Sequence, residues 1–78
     1  MYVFVLDHGG CEPYIYTKRE SAISDAKELF EKRMNDNPVV KEWYISKQPM
    51  DENYGYLQAR AGCQEIFISV SRIKVCEE

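Results

Sequence analysis

His8-Gly9-Gly10-Cys11 is the one segment in which a base and a nucleophile lie close together along the chain. An imidazole can draw off a thiol proton, and the thiolate is the attacking species in cysteine chemistry. The segment offers no third group to orient the imidazole, and a domain with one helix has little depth from which to exclude water. The reading is therefore a glycine-rich turn with incidental polar side chains; no catalytic residue is assigned and the chain is not expected to be an enzyme. His8 and Cys11, joined by Cys63 and Cys76, also make up a Cys3His set of the kind that holds zinc. Structural zinc sites present at least one closely spaced cysteine pair, which is missing here, so neither a metal nor any other cofactor is expected. Asp7-His8-Gly9-Gly10 invites a phosphate cradle, but a cradle needs a helix opening directly after the glycines. Pro13 and a further apolar run follow instead.

The more unusual feature is aromatic. Six tyrosines accompany Phe4, Phe67 and Trp43. Tyrosine brings large contact area, little side-chain entropy and a polar tip, which is why recognition surfaces are rich in it. The same residues can instead stiffen a small sheet through cross-strand pairs. Asp51-Glu52-Asn53-Tyr54, after Pro49-Met50, puts two acids beside an aromatic in a loop, a composition suited to docking in a basic protein groove and equally to a solvated connector. The candidate partner-binding set is Asp51, Glu52, Tyr54, Tyr56, Tyr44, Tyr14 and Tyr16.

The elements that must position these residues follow from periodicity. Tyr2 to Asp7 is apolar on both parities and predicts a central strand with both faces partly covered. His8 to Pro13 predicts a turn, and Tyr14 to Thr17 a short strand in hairpin with the first. Thr17-Lys18-Arg19-Glu20 has the spacing of a capping box, so a helix is expected to start from Thr17. Ala22, Ile23, Ala26, Leu29, Phe30 and Met34 form its apolar stripe. Asn35-Asp36-Asn37-Pro38 should end it, with an asparagine in the left-handed region. Val39 to Lys47 reads as a third strand, with Trp43 and Ile45 toward the helix and Glu42, Tyr44 and Ser46 away from it. Tyr54 to Ala61 is read as a fourth strand, on Tyr54-Gly55-Tyr56, although Tyr56 to Ala61 also has helix-forming residues. Glu65 to Val75 is the fifth. In it Ile66, Ile68 and Val70 alternate, and a bulge near Ser71-Arg72 is expected to bring Ile73 and Val75 to the same side. The order β-β-α-β-β-β implies an α+β fold, a two-layer, mostly antiparallel sheet of about five strands packed on one helix, as a single compact domain spanning 1–78.

Composition narrows the functional classes. Of 78 residues 45% are apolar, and 10 basic against 13 acidic residues give a net charge of −3. Nonspecific nucleic-acid binding needs a cationic surplus, so nucleic acid is not expected as the direct partner. Lys18, Arg19, Lys27, Lys32 and Arg33 on the helix are interleaved with Glu20, Asp25, Glu28 and Glu31, the pattern of a solvated face. The tyrosines lack the basic-Gly-aromatic run of RNA-recognition sheets. Neither an apolar run of membrane-spanning length nor a cationic leader is present, so a cytoplasmic location without a membrane partner is expected, with the cysteines as free thiols. These features together lead to a non-enzymatic protein-binding module, an inhibitor or adaptor docking on a larger protein or nucleoprotein complex. Its finer form, a phage or mobile-element anti-defence inhibitor of anti-CRISPR type, is a judgement about small acidic proteins that no residue carries. The alternatives are a single-stranded nucleic-acid-binding module using sheet aromatics, and a small homo-oligomeric structural protein; a homodimer is compatible with either protein-binding reading.

Overall fold

The computed structural model describes residues 1–10 and 12–76. They form β1 (Tyr2–Asp7), β2 (Tyr14–Tyr16), α1 (Arg19–Asn35), β3 (Tyr44–Gln48), β4 (Tyr54–Ala61) and β5 (Gln64–Lys74). All five strands join one antiparallel sheet in the order β2-β1-β5-β4-β3, with α1 on one face. The two-layer α+β architecture expected from the sequence is thus the one observed.

The strand order corrects one expectation: β5, not β1, is central. With 11 residues it is the longest strand, long enough to pair along Ser69–Lys74 with β1 and along Gln64–Ser71 with β4. A second correction concerns the bulge. Register runs without interruption from Asp7↔Ser69 to Tyr2↔Lys74 and from Ala61↔Gln64 to Tyr54↔Ser71. No residue is inserted, so Ile66, Ile68 and Val70 face α1 while Phe67, Ser69, Ser71 and Ile73 face away. The parity break marks apolar residues on both faces of one straight strand.

The core beneath the helix is Leu6, Ala22, Ala26, Phe30, Ala59, Ile66, Ile68 and Val70. Ala22 and Ala26 are small enough to let the helix lie close to the sheet, and Phe30 adds the largest buried side chain of the helix. Ile23, Leu29 and Met34 flank this line half-buried. Both helix ends differ from expectation. The N-cap is Lys18, with extended backbone and no side-chain bond, so the capping box does not form. At the other end no asparagine is left-handed. Asp36 continues in the right-handed region, and the Asn37 side-chain amide donates to the Arg33 carbonyl at 3.1 Å.

The third strand is shorter than expected. Val40 N–H donates to Asn37 O at 3.1 Å, closing a turn around Pro38, and residues 39–43 carry the chain out to the sheet's far edge. Val39 is 90% exposed as a result. Side-chain parity in β3 is as expected, since Ile45 pairs with Ala59 on the helix side and Tyr44 with Arg60 on the other. Yet α1 touches β1, β2, β4 and β5 and not β3, so every β3 residue is exposed. The Gly62-Cys63 turn joining β4 to β5 holds Gly62 at φ 61°, the first central position of a two-residue hairpin turn that favours glycine.

Candidate functional site

Register assigns each candidate residue to a face. Tyr54 (opposite Ser71), Tyr56 (opposite Ser69) and Tyr44 (opposite Arg60) lie on the sheet face that α1 leaves uncovered. Tyr14 and Tyr16 pair with Leu6 and Phe4 and lie on the helix side. The seven candidates therefore do not converge on one surface.

The uncovered face has an aromatic centre. Tyr56 and Phe67, diagonal neighbours across β4 and β5, stack with centroids 5.7 Å apart, and Tyr54 tilts against Tyr56 at 6.2 Å. Small serines at 69 and 71 give the rings room. Ser69, opposite Tyr56 and two positions from Phe67, is only 7% exposed, because the flanking rings shade it. Around the rings stand Val3, Val5, Ile15 and Ile73; Ile15 and Ile73 are exposed, and Phe67 is 39% exposed. Phe67, Ile15 and Ile73 were not among the candidates. The signal for Phe67 and Ile73 was their odd position in the last strand, opposite in parity to Ile66, Ile68 and Val70, and the expected bulge turned Ile73 inward; Ile15, in the short second strand, had no such signal.

Charge on this face is sparse. Among its strand residues the one basic side chain is Arg60, 3.6 Å from Glu65; Asp7 is the other acid.

Asp51 and Glu52 end the β3–β4 connection beside Tyr54, and both are engaged within the chain. Asp51 Oδ1 accepts the backbone N–H groups of Asn53 (2.8 Å) and Tyr54 (2.9 Å), a turn in which the carboxylate replaces a backbone acceptor. Those two bonds hold its pKa below the usual carboxylate value. Glu52 pairs with Arg72 at 3.2 Å. Arg72 also donates to Asn53 Oδ1 at 3.0 Å and lies 4.2 Å over the Tyr2 ring.

On the helix side, Tyr16 OH donates to Asp25 Oδ2 at 2.7 Å. Burial first, then the bond to Asp25 and its charge, push the Tyr16 pKa up to about 12. Tyr14 stacks on His8, centroids 4.9 Å apart. Arg33 donates to His8 Nδ1 at 3.0 Å, so Nε2 carries the proton and donates to the Glu12 carbonyl at 3.1 Å, a tautomer assigned from its partners. Both ring nitrogens are thereby occupied. Cys11, the thiol in the weighed nucleophile and zinc readings, lies outside the described residues. Cys63 and Cys76 sit beyond opposite ends of β5, separated by the whole strand, which spans roughly 33 Å. Among the described residues no group of three or more metal-ligating side chains comes together. The glycines at 9 and 10 lead to β2 and not to a helix, so no helix N-terminus faces them.

Fold and face together describe a two-layer α+β domain with one sheet surface bare and aromatic. Comparison with protein-family models, with curated proteins and with solved structures returns no match for the chain.

Proposed function

We propose that the chain is a non-enzymatic protein-binding module that docks on a larger protein through the bare sheet face, with Tyr44, Tyr54, Tyr56 and Phe67 as its anchors. The observation that carries this reading is the Tyr54-Tyr56-Phe67 cluster, with Tyr56 stacked on Phe67 and Tyr54 tilted against Tyr56, bordered by aliphatic residues and opposite the face that holds the core. Rigid aromatics inside an apolar surround are what concentrates binding energy at protein interfaces. Glu52, paired with Arg72 on the helix side of the sheet, and Asp51, bonded to the Asn53 and Tyr54 amides, hold the turn beside Tyr54 and are not among the anchors. Stacked sheet aromatics also favour a second reading, single-stranded nucleic acid, in which bases lie on the rings. The charge on that face supports the first: a lone arginine already paired with a glutamate gives little counterion release. The finer form, an anti-defence inhibitor of anti-CRISPR type, draws only on the small acidic build.

The test is affinity capture of the tagged chain from its host's lysate, with and without nuclease, comparing wild type with Tyr56→Ser/Phe67→Ser and with Tyr14→Ala. A stoichiometric partner retained by Tyr14→Ala and lost by the double variant is expected. Equal capture by all three chains sinks the face assignment, and capture abolished by nuclease transfers the function to nucleic acid.

A further inference from the structure

On the other side of the sheet, α1 stops short of β3, and Ala26 on the helix and Gly55 on β4 have too little side chain to close the gap. An apolar groove of about 280 Å³ remains. Leu57, Ile68 and Val70 line it from the sheet and Ile23 from the helix. Pro49 and Met50 wall off one end. There the loop passes so close to β4 that a Cβ on Gly55 would stand 2.6 Å from Met50 Cα. The only charged side chains lining the groove are Lys27, from the helix, and Lys47, from the edge strand. Among the described residues neither lysine has a carboxylate within ion-pairing distance. In a chain of net charge −3 this is a local reversal of sign on an apolar floor.

We propose that this groove binds a small monoanionic amphiphile, a carboxylate on an unbranched apolar tail of about six to eight carbons. The tail lies on Ile23, Met50 and Leu57, the half-buried lining residues above the buried Ile68 and Val70, and takes apolar surface out of water, while the carboxylate meets the two ammonium groups at the rim. The volume falls just under the common range of small-molecule sites, about 300–1,000 Å³, and admits one short tail, not the paired chains of a bilayer lipid. The groove lies opposite the aromatic face, and its occupancy does not depend on the protein-binding reading.

The test is a titration of the ¹⁵N-labelled full chain with sodium octanoate below its micelle concentration, read by amide chemical shifts. Saturable shifts confined to the amides around Ile23 to Lys27 and Gly55 to Leu57 are expected, with affinity rising about fourfold per methylene from hexanoate to octanoate. Lys27→Glu/Lys47→Glu, at two exposed positions that leave the core untouched, should weaken octanoate at least about tenfold, and the double arginine variant should retain it. Lys27→Gln/Lys47→Gln replaces the reversal if the spectrum of the glutamate variant loses dispersion. Non-saturable or scattered shifts, equal binding of octyltrimethylammonium, or unchanged affinity after charge removal overturns the proposal. Displacement of octanoate by a lower concentration of the capped peptide Glu-Leu-Phe-Glu also overturns it, reassigning the groove to a peptide anchor.

Discussion

Two ionisable side chains carry structural roles that a pH scan can separate. Asp51 has a depressed folded-state pKa because two backbone N–H groups bind its charged form. Its contribution to stability is therefore complete above the unfolded value of about 3.9 and is lost as pH falls through the lower folded value. Asp51→Asn keeps an acceptor and removes the charge, so its urea midpoint should lie below wild type at pH 7 and converge with it in acid. Equal midpoints at pH 7 would show that the carboxylate does not hold the turn. Tyr16 is the opposite case, a neutral form favoured by burial and by Asp25. Its raised pKa contributes stability below the ordinary tyrosine value of about 10, and that contribution disappears as pH rises through about 12. Absorbance titration near 295 nm should show one late tyrosine, absent in Tyr16→Phe and shifted only part-way back in Asp25→Asn, since burial remains. Neither result bears on partner binding through the bare face, which separates the intramolecular roles of these residues from recognition.

At the scale of elements, the helix start is the weakest built junction. Lys18 occupies the N-cap with suitable backbone, φ −117° and ψ 133°, but its side chain cannot accept an amide hydrogen bond. Lys18→Ser should satisfy an orphan N–H and stabilise the domain by about 1 kcal/mol, raising Tm by about 4–8 °C; an unchanged Tm would place the cap elsewhere. Thr17 suggested a cap because spacing alone does not reveal which residue turns extended just before the first helical one. The helix body was legible, since its apolar stripe has one period and one face. So was β4, where Tyr54-Gly55-Tyr56 outweighed the helix-forming residues after it. Strand order was not legible, because antiparallel pairing joins β1 to β5 across most of the chain. Nor was the face of each tyrosine. Tyr44, Tyr54 and Tyr56 share a surface, while Tyr14 and Tyr16 follow the register of β1, whose apolar residues of both parities conceal which side meets the helix. The loss of strand at Val39 and Val40 has a similar cause: β-branched residues suit a strand, but Asn37 and Pro38 first close a turn that leaves Val39 in solvent and Val40 half-buried.

The whole molecule is elongated, 50 × 23 × 19 Å, with its buried core on one side of the sheet. A helix of 17 residues spans roughly 26 Å, so it can shield the middle of the sheet and leaves β3 and the reverse face bare. β5 runs through both environments, Ile68 being 1% exposed beneath α1 and Ile73 48% exposed on the reverse face. Ile68→Ala should therefore lose about 2–5 kcal/mol from a cavity that cannot collapse in the centre of the sheet, a large part of the stability available to a domain of this size. Ile73→Thr keeps a β-branched side chain at a position without core contacts, and its urea midpoint should correspond to a change within about 0.5 kcal/mol. Comparable losses in the two variants would mean that the reverse face also holds the fold together, and its aromatics would then be explained by packing. A wide separation would mean that Tyr54, Tyr56 and Phe67 occupy a surface the fold does not need for its own cohesion. That is the condition under which their substitution in a binding assay reports on recognition and not on unfolding.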